Sequence, residues 1–467
     1  MGLVLPKRTL PPSESCIREL GALFGERCST GETIREQHGR DESFHPSAPP
    51  DAVVFVESNE EVAEIMKLCV QHGTPIIPYG TGTSLEGHVA ALQGGVCIDL
   101  TRMNQVLEVN AADLDCRVQA GVTRKQVNHH LRNSGLFFPI DPGADASLGG
   151  MTATRASGTN AVRYGTMREN VLGLTVVTAE GRILRTGTRA RKSAAGYDLT
   201  RLFVGSEGTL GVITEIQLRL QGIPEAMSAA VCSFDLMEGA VNTVIFTIQM
   251  GIPVARVELV DEVQIDAINR YSDLDYPVKP ALFFEFHGTP ASVAEQAERV
   301  GEIADENGGS NFQWATKEQD RQKLWEARHN GYYAALALRP GCRGWPTDVC
   351  VPISRLAECI LETQQDVREQ GLLAPILGHV GDGNFHMTYL IHPDYEDEEL
   401  PKYQALNDRL ITRALCMEGT CTGEHGVGYG KIPYMHREHG ESVALMRQIK
   451  EALDPLNLLN PGKILPS

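Results

Sequence analysis

Apolar residues along the chain follow two rhythms, a helical one of three and four and a strand one of two, and their order divides the sequence. Residues 1–50 are polar and proline-rich apart from a helix expected near 13–24, and they lead into the apolar run Val53-Val54-Phe55-Val56. Ser58 and Glu61 stand at capping-box spacing before a helix with Val62, Ile65, Met66 and Cys69 on one face and Gly73 at its end. A short strand at 75–78 runs straight into a glycine-rich stretch at 80–95, and Val96-Cys97-Ile98-Asp99-Leu100 reads as the next strand. Thr123 and Gln126 form a second capping box for a helix through 133. From 171 to 220 the period is two: a hairpin turning at Glu180-Gly181, then the long alternating strand TLGVITEIQLRL.

After Pro224 strands and helices alternate. VARVELVD precedes a helix near 262–271, ALFFEFHG precedes one with Thr289 as N-cap and Pro290 in its first turn, and a further helix is expected over 354–370. SVALMRQIKEALDP is amphipathic and ends at Asp454-Pro455. The pattern predicts an α+β chain in three parts: 1–224, 225–420 and 421–467.

Composition narrows the class. The 467 residues carry 42 Lys+Arg against 60 Asp+Glu, a formal charge of −18, and 42% are hydrophobic, the profile of a soluble globular protein. The acidic balance argues against nucleic acid or an anionic membrane as the main partner, because phosphates require a basic face. None of the 11 cysteines forms a C-x-x-C pair, which reads as reduced thiols in a cytoplasmic setting and excludes a ferredoxin-type iron–sulfur cluster. No run of 18 apolar residues exists for a membrane span, and the N-terminus MGLVLPKRTLPPSES lacks the apolar centre of a signal peptide.

Three constellations could carry chemistry. Glycine-rich loops lie at 78–88, 141–150, 156–166 and 205–214, where backbone N–H groups can approach a pyrophosphate. Each alone reads as a tight turn; the spacing after Gly80-Thr81-Gly82 is not that of a Rossmann fingerprint, and no helix follows it directly. Four in one β-rich region fit an extended nucleotide cofactor. The second is His379-Val380-Gly381-Asp382-Gly383-Asn384-Phe385-His386, followed by Glu424-His425-Gly426. With a four-residue turn at 381–384, His379 and His386 become directly opposed cross-strand neighbours able to chelate one ion, and Glu424 would complete a His₂Glu set suited to Zn²⁺, Mn²⁺ or Fe²⁺. Two surface histidines beside a polar turn are the alternative. The third is Arg328, within Trp325-Glu326-Ala327-Arg328-His329-Asn330, suited either to gripping a carboxylate or to a surface ion pair.

The four loops, the ending Asn460-Pro461-Gly462-Lys463 and the motifs GHVGDGNFH and GTCTGEHGVG resemble the FAD-linked oxidases of the vanillyl-alcohol oxidase and p-cresol methylhydroxylase (PCMH) type, in their metal-containing D-2-hydroxyacid dehydrogenase branch. The runs IREQHGRD and RKSAAGYDLTRLFVGSEGTLG look closest to its D-lactate-oxidising, cytochrome-linked members. The resemblance spans about residues 33–465 and implies a PCMH-type FAD-binding domain, an α+β substrate domain with an antiparallel sheet, and a C-terminal helical segment returning to the FAD domain. It implies non-covalent FAD held by Gly80, Thr81, Gly82, Thr83, Ser84, Glu86, Gly87, Pro142, Gly143, Ser147, Gly150, Ser157, Gly158, Asn160, Tyr164, Glu207, Gly211, Ile213 and Asn460, with His88 structural. It makes His379, His386 and Glu424 ligands of one divalent metal, His425 the general base, and Asn384 and Arg328 substrate contacts. Two positions depart from it: Arg155 replaces a common glycine, which either alters that loop or adds a cation near the phosphates, and Pro346 replaces a lysine that grips a distal carboxylate.

The expectation is oxidation of a small D-2-hydroxy acid, D-lactate first, with glycolate and D-2-hydroxyglutarate as alternatives within the class. A His₂Glu hydrolase is the alternative outside it. Electrons would pass to an external acceptor, a cytochrome c, a quinone or an electron-transfer protein. The expected location is the cytoplasm, with peripheral contact to the inner membrane open.

Overall fold

The computed structural model describes Leu5, residues 7–10 and residues 13–466, with the side chains of Ala327 and His329 excepted. The N-terminal reading therefore lies partly outside the described residues. The chain forms two compact units, one from residues 1–157, 165–223 and 424–467 and the other from 158–164 and 224–423.

The first unit holds two larger sheets and a two-stranded one that pairs Leu136–Phe137 with Gln221–Gly222. In one, Ala52–Phe55, Val96–Asp99 and Ile76–Tyr79 run parallel, and Cys28–Ser29 adds an antiparallel edge. The helix Asn59–His72 connects Ala52–Phe55 to Ile76–Tyr79 and buries Val62, Ile65, Met66 and Cys69. Ser58 caps it through the Glu61 amide, but the Glu61 carboxylate turns to Arg27 and the Glu57 amide, so only half of the expected box forms. Thr123 and Gln126 do make the reciprocal box, and their helix, Arg124–Leu131, stops two residues short of the expected end. The second sheet is antiparallel, in the order Val106–Asn110, Asp115–Gln119, Val212–Arg219, Val171–Val177, Ile183–Arg185. The hairpin turning at Glu180-Gly181 forms its last two strands. Residues 424–467 complete this unit: Leu459 bridges in parallel to Ile76, and the buried Lys450 ammonium donates to Asp454 and to the carbonyls of Thr209 and Leu459.

The second unit is one antiparallel sheet with helices. Its strands follow the order Gly309–Ala315, Ala226–Phe234, Ala281–Gly288, Val254–Val260, Ile376–Gly378, Asn384–Ile391, Arg343–Pro346, with Val349–Cys350 pairing Asn384–Ile391 off that path. Thr289 caps the helix Pro290–Glu306 with Pro290 at its start, as the pattern predicts. The helix expected from Ser354 begins at Leu356, after a 3₁₀ turn over Ile353–Arg355. No helix among the described residues is long and apolar enough to cross a membrane.

Candidate active site

His379 and His386 meet in the second unit, though not as directly opposed partners. In the antiparallel register His386 faces Leu377, and the chain between the strands is a five-residue loop with a 3₁₀ turn at Val380–Asp382 and Gly383 in the left-handed region. His379, just past the strand Ile376–Gly378, is therefore a diagonal neighbour of His386 on the same face. The two rings still lie 5.3 Å apart, inclined by 76°. Each has its Nδ1 engaged: that of His379 on the Glu258 carboxylate at 2.7 Å, that of His386 on the Thr347 carbonyl at 2.8 Å. A carbonyl only accepts, so Nδ1 of His386 carries the proton and Nε2 the lone pair. Metal-ligating histidines are held this way, by a carboxylate or carbonyl on the far nitrogen.

Glu258 is fully buried on the central strand Val254–Val260, and its other oxygen accepts from Arg328 Nη2 at 2.5 Å. Burial would push its carboxyl up, but His379 and Arg328 outweigh burial and hold it below the ordinary value. Arg328 lies on the helix Glu318–His329, and its Nε is buried with no hydrogen-bond partner among the described residues. Asn384 donates its amide to Asp348 Oδ1 at 2.7 Å and to the Val349 carbonyl at 2.8 Å. Both partners only accept, so the amide cannot be reversed, and Oδ1 is a buried acceptor with no hydrogen-bond partner among the described residues. Asp348 also accepts from Thr422, two residues before Glu424 in the chain. The donor set fits a divalent cation and a hydroxy acid: two oriented imidazoles, a fixed amide oxygen and an arginine.

In the first unit the glycine-rich loops at 78–88, 141–150 and 205–214 converge. Thr81 Oγ1 accepts from the Ser147 amide at 3.3 Å. A Cβ at Gly80 would stand 2.2 Å from Ser147 Oγ and push that hydroxyl off the Gly150 amide it caps, so glycine suits this approach of the 80–87 loop to the start of the helix Leu148–Thr154. Glu207 accepts from the amides of Val427 and Gly428, and Asn460 donates to the carbonyls of His88 and Glu207. Gly428 has φ +49° and its Cβ would strike the Glu86 carbonyl, so no other residue fits there. These backbone cradles fit an extended dinucleotide. Gly211 precedes the strand Val212–Arg219 and Ile213 is its second residue, paired to Val176. Pro142 and Gly143 lie in the loop before Ser147, and Ser157 ends the first segment of this unit.

Glu86 is buried among His45 Nε2 at 3.2 Å, Lys431 at 3.4 Å and His425 Nδ1 at 3.9 Å. Burial opposes its ionisation, yet Lys431, His425 and His45 together hold its carboxyl far below the ordinary range. His88 sits 3.3 Å from Glu207, whose charge outweighs burial and raises the imidazole pKa. Arg155 adopts a left-handed backbone, φ +57°, the conformation a glycine would supply, and its guanidinium lies over Gly205 and reaches the Val204 carbonyl.

Gly158, Asn160 and Tyr164 belong to the second unit. There Asn160 accepts from Arg256 at 2.8 Å, and the Tyr164 hydroxyl meets His287 Nδ1 at 2.7 Å, with Glu285 on the other ring nitrogen. Sequence reasoning missed Glu258, Asp348, Thr347, Arg256, Glu285 and His287. A signal existed for four of them: VARVELVD and ALFFEFHG each place two polar residues at alternate positions of an otherwise apolar strand, which marks a polar face on a buried sheet.

Two family models match the chain. The model described as "FAD linked oxidases, C-terminal domain" matches residues 223–464, and "FAD binding domain" matches residues 50–187. The chain is 55% identical to "Probable D-lactate dehydrogenase, mitochondrial" of Danio rerio over 94% of this chain and 89% of that one. It is 47% identical to "D-lactate dehydrogenase [cytochrome], mitochondrial" of Arabidopsis thaliana over 96% and 80% respectively. A crystal structure of p-cresol methylhydroxylase with substrate bound shares the fold, with a TM-score of 0.80 at 19% identity over 96% of each chain.

Proposed function

Because the chain belongs to the FAD-linked oxidases, we propose that it oxidises D-lactate to pyruvate, using non-covalent FAD and one divalent metal, zinc or manganese with iron as the third choice. The relatives' names carry the substrate, and the donor set at His379, His386, Asn384 and Arg328 carries the chemistry. The match to a FAD-binding domain weighs against the hydrolase reading.

Bound FAD supplies the hydride acceptor, and a divalent cation supplies the Lewis acidity that makes a hydroxyl easier to deprotonate. His379, His386 and Glu424 hold the cation. Arg328 pairs with the substrate carboxylate through the donors that Glu258 leaves it. Asn384 offers Oδ1 to the substrate hydroxyl and so orients it. His425 takes the hydroxyl proton, a task suited to an imidazole near neutral pH. The loops at 80–87, 142–150, 157–164 and 207–213, with Asn460, hold the cofactor.

Pro346, paired with Thr388 in the strand Arg343–Pro346, offers no cation for a second carboxylate, which supports a monocarboxylate over D-2-hydroxyglutarate. The electrons would go to an external acceptor, a cytochrome c in keeping with the Arabidopsis relative's name, or otherwise a quinone or an electron-transfer protein. The free thiols support a reducing compartment, and the relatives' names favour the mitochondrion over the cytoplasm expected from thiols alone. A visible spectrum of the purified protein tests the reading: D-lactate should bleach the oxidised-flavin band, and a spectrum that D-lactate leaves intact while glycolate bleaches it would reassign the substrate.

A further inference from the structure

One buried carboxylate connects the two arms of this site. Glu258 sits on a central strand of the antiparallel sheet, with no solvent exposure, and each oxygen has a different partner: Oε1 meets His379 Nδ1 at 2.7 Å, and Oε2 accepts from Arg328 Nη2 at 2.5 Å. His379 comes from the loop after Ile376–Gly378, a strand paired directly with Val254–Val260. Arg328 comes from the helix Glu318–His329. Glu258 thus bonds the imidazole and the guanidinium through one carboxylate. A buried carboxylate with two cationic or donor partners in good geometry holds each more rigidly than either would be held alone.

We propose that Glu258 is a positioning residue that sets the orientation of the metal-ligating imidazole and of the carboxylate-gripping guanidinium together, so that metal retention and substrate affinity depend on a single side chain. This rests on the roles assigned to His379 and Arg328 above. The chemistry follows from the two bonds. With Nδ1 of His379 turned to the carboxylate, Nε2 is left as the ligand atom, and the adjacent negative charge increases its basicity. With one Nη of Arg328 committed, the guanidinium plane is fixed, and its remaining N–H groups, among them the buried Nε, present a preset fork to a carboxylate. A neutral amide at this position could satisfy one partner at a time and would charge-balance neither.

The test is a pair of double-mutant cycles on the FAD-loaded protein. Glu258→Gln should weaken retention of added Zn²⁺ or Mn²⁺ against a chelator by about 10–100-fold, the range for removal of an outer-shell partner of a ligating histidine. The same substitution should raise KM for D-lactate by about tenfold or more, since a hydrogen bond to a charged group is lost. Against a His379→Gln background Glu258→Gln should have no further effect on metal retention, and against Arg328→Gln no further effect on KM. Retention and KM within twofold of the parent, or additive effects in both cycles, overturn the proposal. Should Glu258→Gln fail to hold flavin, Glu258→Asp replaces it: one methylene short, it can reach His379 or Arg328 but not both, so it should keep one property and lose the other. An aspartate that keeps both also overturns the proposal. A parent protein that D-lactate does not reduce refutes the substrate assignment instead, and leaves the metal-retention cycle to decide on Glu258.

Discussion

At the scale of single residues, the second unit spends its buried hydrogen bonds on fixing which atom faces the reaction. Thr347 and Glu258 claim the far nitrogens of the two histidines, and Asp348 with the Val349 carbonyl claims both protons of the Asn384 amide. Replacing His386 by Ala should remove the metal and lower turnover on the order of 100-fold, since metal assistance supplies several kcal/mol. The flavin absorbance should persist, because the glycine cradles at Gly80 and Gly428 belong to the other unit. Metal content by mass spectrometry alongside the visible spectrum checks both halves. GHVGDGNFH exposed the histidines in the sequence but not their geometry: equal numbers of strand residues on either side of the turn were assumed, whereas a 3₁₀ turn lengthens the loop and shifts the register. Glu258, in an apolar strand, and Asp348, between two short strands, escaped because a lone acid acquires meaning only when its distant partners are known.

Among the elements, the capping signals translated most directly into structure. Thr123 with Gln126, and Thr289 with Pro290, act on backbone groups within four residues, and no distant contact displaces them here. Ser58 shows the limit, since Arg27 draws the Glu61 carboxylate out of its box. The helix Glu262–Ser272 carries a cost that only burial reveals. Its N-cap, Asp261, accepts from the Gln264 amide, but burial pushes its carboxyl up to about 7. In the unfolded chain the same group titrates near 3.9, so the folded state holds the proton more tightly. The stability tied to that proton is complete below about pH 4 and is lost as pH rises toward about 7. Asp261→Asn keeps the capping oxygen without the charge. It should raise the melting temperature at pH 8 by about 2–4 °C for each kcal/mol recovered and change it little at pH 4. Thermal melts at the two values decide, and equal shifts at both would refute the assignment.

Over the whole molecule, a chain of charge −18 must take in an anion. The attraction is local, from Arg328 and the proposed cation, while the repulsion is long-range and hence screened by salt over about 8 Å at physiological strength and about 30 Å at 0.01 M. KM for D-lactate should therefore fall as ionic strength rises across that interval; steady-state kinetics in sodium chloride measure it, and a rising KM would mean that steering by local cations dominates. The chain-wide organisation was partly legible: the break in pattern near Pro224 is visible in the sequence, but nothing in local periodicity says that residues 158–164 group with the later part.

That discontinuity bears on how the protein folds. The parallel bridge of Leu459 to Ile76, the bond of Lys450 to the Thr209 carbonyl and the two carbonyls bound by Asn460 all tie residues 424–467 to residues before 224. Closing the flavin unit therefore turns residues 224–423 into one long loop, and contacts of such high sequence separation form slowly because the chain entropy is lost before they add stability.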